Sequence, residues 1–276
     1  MLSITDTDFQ KIQNIMYNQT GVFLKDAKKN LVIARLRRRL EELGLDDFSG
    51  YIRFLEDVSS NELEFFVNAI TTNETYFFRH TEQFNYLFEK LLPALVEEKS
   101  RLSQREVKIW SAACSTGEEP YSLSILCHEF FKKNHGFRFS ILASDINSKV
   151  LEQAVTAQYS ERSLREVSAE LDAKYFVHLP PDRARRGLDI TVIDAVKKNV
   201  RFVAHNLLKP MAGEKFDIIF LRNVIIYFDK QTKQHVVNLI ENNLNQGGHL
   251  FISLSESLMD IKTGLNYCKP GVYCKK

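Results

Sequence analysis

Arg79, Glu119, Asp145, Asn206, Arg222 and Tyr227 stand in turns or at the ends of apolar runs, where a polar side chain needs a partner. One turn organises them. Val107-Lys108-Ile109-Trp110-Ser111 reads as a short buried strand, Ala112 to Gly117 as a tight turn, and Glu118-Glu119-Pro120-Tyr121-Ser122-Leu123 as the opening of a helix. Ala113 to Gly117 carry little side-chain bulk, so a ligand can approach the backbone closely. Pro120 suits a first helical turn, and the two glutamates suit its positive end. Strand, small-residue turn and helix opening is the geometry of a nucleotide pocket in a doubly wound sheet. Only Gly117 is a glycine, however, and acids rather than open amides head the helix, which argues against bound phosphate. The same residues also suit an ordinary βα turn.

Ser140-Ile141-Leu142-Ala143-Ser144-Asp145 reads as a second buried strand with an acid at its carboxyl end. An acid there, one strand beyond the turn, hydrogen-bonds ribose hydroxyls; alternatively Asp145 caps a helix starting near Ser148. Together the two segments describe a pocket for an adenosine-bearing ligand that lacks a pyrophosphate. S-adenosylmethionine fits that description. The run Phe216 to Phe228 is apolar until Arg222, Asn223 and Tyr227, which it delivers to the sheet edge where open α/β folds bind ligands. Asn206 follows another strand onto that edge. In the linker, Arg79 follows two phenylalanines, and its planar fork suits a carboxylate.

The elements that must position these groups fall into two blocks. Residues 1–72 read as all helical, with Phe9, Ile12, Ile15 and Met16 on one stripe and Val32, Leu36, Leu40 and Leu43 on another. Residues 73–100 read as a linker and one connecting helix, and 101–276 as a mostly parallel α/β sheet with helices on both faces. Strands are expected at 107–111, 139–144, 200–204, 216–221, 249–254 and near 271–274. An antiparallel insert at about 172–199 interrupts them, its turn carrying Pro180-Pro181 and the basic stretch Arg183 to Arg186. The second helix is strongly basic beside its apolar stripe, with Arg35, Arg37, Arg38 and Arg39 crowded together. Such a face suits an acidic partner; nucleic acid is disfavoured, because no aromatic residues are interleaved for base stacking.

The 276 residues carry a net charge of +2, which supplies no general drive towards nucleic acid or membrane. No apolar run is long enough to span a bilayer, so a cytoplasmic protein is expected. Cys114, Cys127, Cys268 and Cys274 do not follow zinc-binding spacing. Cys268 and Cys274 flank a Pro-Gly turn and are expected to be a reduced pair; no metal is expected.

Thr71-Thr72-Asn73-Glu74-Thr75-Tyr76-Phe77-Phe78-Arg79, Trp110-Ser111-Ala112 through Ser115-Thr116-Gly117-Glu118-Glu119-Pro120-Tyr121-Ser122, Ala143-Ser144-Asp145-Ile146 and Arg222-Asn223-Val224-Ile225-Ile226-Tyr227-Phe228 follow one another in a specific order. With the helical domain before them, they resemble the CheR-type chemoreceptor glutamate methyltransferases over nearly the whole chain. The resemblance implies a Rossmann-like S-adenosylmethionine-dependent methyltransferase fold and S-adenosylhomocysteine as product. It further implies that Asn73, Thr75, Arg79, Glu119, Asp145, Asn206, Leu207, Leu221 and Arg222, with Ala113 of the turn, line the cofactor pocket. Arg79 and Tyr227 would face the methyl-transfer centre. Arg35, Arg38 and Arg39 would meet the cytoplasmic helices of the receptor, and the insert a receptor C-terminal peptide. A monomer, not embedded in the membrane and not bound to nucleic acid, is expected. One departure stands out: Ser253-Leu254-Ser255-Glu256 replaces the Gly-His-Ser-Glu usual in the family.

The implied chemistry is an in-line displacement, in which alignment of donor and acceptor is the main task. A glutamate, with a reference pKa of about 4.3, is already ionised at neutral pH and needs no general base. Two other readings compete: a methyltransferase of RNA or a small molecule, and a non-catalytic cofactor-binding adaptor. Arg222-Asn223-Val224-Ile225 in place of a Pro-Pro-Tyr-type motif disfavours amine methylation, and retention of Arg79 and Tyr227 disfavours the adaptor.

Overall fold

A computed structural model describes residues 3–57, 60–180, 182–184 and 187–276. The first helix, α1 (Asp6–Thr20), is capped by Thr5, whose side chain accepts from Asp8 N–H, and ends at Gly21 with φ 73°. A short 3₁₀ turn at Asp26–Lys28 leads into α2 (Lys29–Glu42), followed by α3 (Phe48–Glu56) and α4 (Glu62–Ile70). Ile12, Met16, Val32, Leu36, Leu40, Tyr51 and Phe66 are its fully buried centre. Both apolar stripes read from the sequence face this core, which is what makes four short helices hold together.

The connecting helix is not continuous. It runs as α5 (Thr81–Tyr86), a π-helical turn at Leu87–Leu91 and α6 (Leu92–Arg101). Pro93 explains the break: it has no N–H to donate, and its ring would strike the carbonyl four residues back, so the preceding turn widens.

The main sheet contains β1 (Glu106–Ala112), β2 (Arg138–Asp145), β6 (Val200–Ala204), β7 (Phe216–Leu221), β8 (Leu244–Phe251), β9 (Leu265–Lys269) and β10 (Val272–Lys275). Their order is β6-β2-β1-β7-β8-β10-β9. The first five are parallel, and β10 is antiparallel to both neighbours. All six residues of β7 are buried, as expected for a central parallel strand covered on both faces. Phe220 and Phe251 stack on one face with Phe84 of α5, while Trp110, Ile219 and Leu250 belong to the core of the other. The flanking helices are α7 (Glu118–Phe131), α8 (Ser148–Thr156) and α11 (Lys230–Asn243). The chain steps from β1 to β2 on one side and later returns as β7 on the other. This topological switch opens a crevice at the carboxyl ends of β1, β2 and β7.

The insert is a three-stranded antiparallel sheet, ordered β3-β5-β4, from β3 (Gln158–Tyr159), β4 (Phe176–His178) and β5 (Ile190–Val192). Its third strand comes from before the expected stretch. The short helices α9 (Ala169–Tyr175) and α10 (Asp194–Lys197) flank it. Pro181, Arg185 and Arg186 of the basic turn lie outside the described residues.

Candidate functional site

After β1 the backbone bends through three left-handed residues, Ala113 (φ 61°), Ser115 (φ 52°) and Gly117 (φ 95°). A Cβ on Gly117 would come within 2.9 Å of the Ala154 Cβ and 3.0 Å of the Tyr159 hydroxyl, so only glycine fits there. Asp145 holds this bend. Its Oδ2 accepts from Ser115 N–H at 2.8 Å and its Oδ1 from Asn147 N–H at 3.0 Å. The cap of α8 is Asn147, which accepts from Val150 N–H, so the helix-cap alternative for Asp145 gives way. A carboxylate has about four lone-pair sites, so acceptor capacity remains for a ligand. Burial raises the Asp145 pKa, and hydrogen bonds from backbone N–H groups of Asn147 and Ser115 oppose the rise.

Beside it, the first turn of α7 presents Glu119. Its Oε1 accepts from Ser111 Oγ at 2.7 Å and its Oε2 from Arg222 Nη1 at 3.1 Å. The Arg222 side chain is 2% exposed. Its Nη2 donates to the Arg79 carbonyl, while its buried Nε has no partner among the described residues. Burial lowers the Arg222 pKa and raises that of Glu119; their mutual attraction opposes both shifts. The Arg79 guanidinium folds back onto its own linker, donating to the Glu74 carbonyl at 2.8 Å, with the Tyr76 ring 5.7 Å away.

Tyr227 follows the bend after β7. Glu256 fixes that bend by accepting from the N–H groups of Ser253 (2.8 Å), Asn223 (3.1 Å) and Ile226 (3.3 Å). The departing Ser253-to-Glu256 segment thus works as a clamp, and Ser253 Oγ also accepts from Asn223 Nδ2 at 3.0 Å. Its sequence signal was a buried-strand ending followed three residues later by an acid. Tyr227 itself takes part through its backbone, its carbonyl accepting from Phe23 N–H at 2.9 Å. Its hydroxyl has no hydrogen-bond partner among the described residues.

These groups surround one cavity of about 360 Å³. Asn73, Thr75, Arg79, Ala113, Glu119, Asp145, Asn206, Leu207, Arg222 and Tyr227 all line it. Leu221 does not. It is fully buried at the end of β7 and packs into the core of the Trp110 face, so the expectation that its side chain lines the pocket is corrected. Asn206 lines the cavity with both polar atoms already engaged: Nδ2 donates to the Gln19 carbonyl at 2.7 Å and Oδ1 accepts from Leu208 N–H at 3.0 Å. Sequence reading missed an entire wall. Met16, Thr20, Phe23, Lys25, Lys28 and Leu31 of the helical domain close the cavity from the far side. Val22 forms a bridge to Phe228, and Tyr17 donates to Asp229 at 2.9 Å, tying this wall to the bend after β7.

The basic helix also differs from expectation. Arg35 donates to the carbonyls of Ile70 and Thr71 and to Thr72 Oγ1, bracing the linker where it lines the cavity. Arg39 chelates Glu62 through Nε and Nη2. Among the three arginines expected to meet a partner, only Arg38 points out, its side chain 89% exposed and paired with Glu42 alone. Arg35 and Arg39, expected with Arg38 to meet a partner, are also engaged within the chain, where they hold α2 to α4 and the linker.

A small-residue turn and a buried acid at the carboxyl end of the next strand suit a methyltransferase of the S-adenosylmethionine-dependent class. The fit rests on the geometry at Asp145, on the buried Arg222 Nε without a partner and on the crevice position. The family description "CheR methyltransferase, SAM binding domain" matches residues 73–273, and "CheR methyltransferase, all-alpha domain" matches residues 7–71. The chain belongs to the CheR methyltransferase family. It is 36% identical over 278 residues to the "Chemotaxis protein methyltransferase" of Borreliella burgdorferi, covering 99% of this chain and 96% of that one. It is 36% identical to the protein of that name in Salmonella typhimurium, covering 94% and 87%, and 34% identical to "Chemotaxis protein methyltransferase 1" of Pseudomonas aeruginosa, covering 98% of each. No helix among the described residues is long and apolar enough to cross a membrane.

Proposed function

We propose that the chain transfers a methyl group from S-adenosylmethionine to glutamate carboxylates on the cytoplasmic helices of chemoreceptors, forming methyl esters. The observation that carries this reading is the shape of the cavity. Its floor is a polar site at the carboxyl edge of the sheet, and its far wall is formed by the helical domain. Asp145 would accept from ribose hydroxyls. Arg222, through its free Nε, and Glu119 would hold the amino-acid end, with Ala113 to Gly117 allowing close backbone approach. Bound there, the cofactor supplies a sulfonium-activated methyl group. The protein then has only to align an already ionised acceptor. Tyr227, whose hydroxyl is uncommitted, would fix the acceptor or the methyl group.

Lys25 and Lys28 on the cavity wall would draw in the acceptor carboxylate. Exposed Arg38 would meet the acidic surface of the receptor from outside. A receptor C-terminal peptide would dock on the β3-β5-β4 insert, and the protein would act as a cytoplasmic monomer. Incubation with labelled S-adenosylmethionine and receptor-bearing membranes tests the reaction. Label released as methanol by mild base is expected; base-stable label on protein, or label confined to RNA or a small molecule, would overturn it.

A further inference from the structure

Away from the cavity, the last three strands gather side chains that methyl transfer does not use. His249 on β8 stands directly opposite Cys274 on β10, so both side chains leave the sheet on the same face. Cys274 in turn stands opposite Asn266 on β9. Cys268 is the extra residue at a β-bulge between the Val272–Lys269 and Tyr273–Tyr267 pairs, and its thiol joins the same cluster. The result is one ligand-capable atom each from an imidazole and two thiols, all within 4.8 Å of one another. None of the three residues lines the cavity.

We propose that His249, Cys268 and Cys274 form a binding site for a thiophilic divalent cation of the zinc class. Two sulfurs and an imidazole are a borderline-soft donor set, suited to zinc and unsuited to magnesium or calcium. Around a tetrahedral zinc with bonds of about 2.0–2.3 Å, ligand atoms stand roughly 3.4–3.8 Å apart. The remaining closure needs only side-chain rotation, because both thiols are free and Cys268 is exposed. His249 Nδ1 is buried without a hydrogen-bond partner among the described residues.

Both thiols are free. Uptake then forms two metal–sulfur bonds and one metal–nitrogen bond and releases one proton from each thiol to solvent, with no change of oxidation state. The fourth position is left to water. An ion here would clasp the β9–β10 hairpin to β8. The sequence spacing conceals such a site, because the three ligands come from three strands and meet only through sheet register.

Cobalt titration of the reduced, full-length protein tests the site directly. One equivalent is expected to bind with a thiolate-to-cobalt charge-transfer band and the intense visible bands of tetrahedral cobalt, and zinc should displace it. His249→Gln, Cys268→Ser and Cys274→Ser should each weaken uptake by about tenfold or more. Calorimetric binding of S-adenosylhomocysteine, unchanged in these variants, would show that they are folded. Absence of the thiolate band in folded wild-type protein would overturn the site, and so would a band that survives the Cys268→Ser, Cys274→Ser double variant.

Discussion

Two arginine–glutamate pairs, one on the cavity floor and one in the helical domain, are built to opposite ends. In the helical pair, Glu62 is 1% exposed in its side chain, yet its carboxylate is fully answered. Arg39 reaches it through Nε at 3.0 Å and Nη2 at 2.6 Å, and the Tyr51 hydroxyl donates to it at 2.8 Å. The Arg39 pKa is raised, first by that hydrogen bond. On the floor, Arg222 meets Glu119 through one nitrogen only, keeps a buried Nε without a partner, and has its pKa lowered by burial. A completed pair locks a fold; an incomplete one in a crevice leaves donors for a ligand. On the function proposed above, the first pair serves structure and the second binding.

Arg222→Ala should therefore produce the largest effect. It strands Glu119 in the interior, and removing one partner of a buried pair costs about 3–5 kcal/mol. Thermal unfolding should fall accordingly, and calorimetry should show S-adenosylhomocysteine binding lost. Adding Glu119→Ala to it should recover part of the stability and none of the affinity. If the double variant regains cofactor binding, the floor pair is structural and the contrast with Arg39–Glu62 fails.

Much of this contrast lay within reach of the sequence, and the rest did not for physical reasons. Ala113 to Gly117 and Asp145 stood out in the sequence as small residues after one buried strand and an acid ending the next, although an ordinary βα turn and a helix cap would look the same. The parallel sheet was readable because short buried-strand patterns, of which β7 is nearly continuous in apolar residues, alternate with helical ones. The side-chain direction of Leu221 was not, since a strand buried on both faces gives no alternation to tell them apart. The partners of Arg35 lie 35 and more residues along the chain, at Ile70 to Thr72, and charge counting sees only an exposed-looking helix. Leu265-Asn266-Tyr267-Cys268-Lys269 becomes β9 through pairing with β10 rather than through its own pattern.

A third carboxylate sharpens what a buried acid without a cation costs. Glu118, next to Glu119, accepts from Thr116 Oγ1 at 2.6 Å, and burial pushes its pKa from 4.5 up to about 7. Between those values the unfolded chain gives up the proton while the folded chain keeps it, so stability falls as pH rises through that window. Glu118→Gln should remove this slope and stabilise the protein above pH 7 by on the order of 3 kcal/mol, at about 1.4 kcal/mol per pH unit. Denaturant midpoints measured from pH 4 to pH 8 check it. A variant that keeps the wild-type slope would show that Glu118 ionises freely in the fold.

Glu62→Ala is the matching test of the completed pair. It leaves Arg39 and the Tyr51 hydroxyl without their acceptor, at a cost of about 1–3 kcal/mol. The denaturant midpoint should fall while the affinity for S-adenosylhomocysteine stays at the wild-type value. A parallel loss of affinity would mean that the helical pair also serves the binding site.

The smallest effects separate two arginines one turn apart. Arg35 holds Ile70, Thr71 and Thr72, all three of which line the cavity; Arg38 holds only Glu42, on the surface. Arg35→Ala should thus weaken cofactor binding several-fold, since the linker loses its brace, whatever the salt concentration. Arg38→Ala should leave cofactor binding unchanged, because an exposed i,i+4 pair contributes only about 0.3–0.5 kcal/mol to the helix. Its effect should appear in the rate of receptor methylation at low salt and fade as salt screens the encounter. Calorimetry for the first variant and methylation rates across a salt series for the second decide the matter. Equal cofactor affinities in both would show that Arg35 braces nothing the cofactor needs, and would return it to the receptor-facing surface beside Arg38.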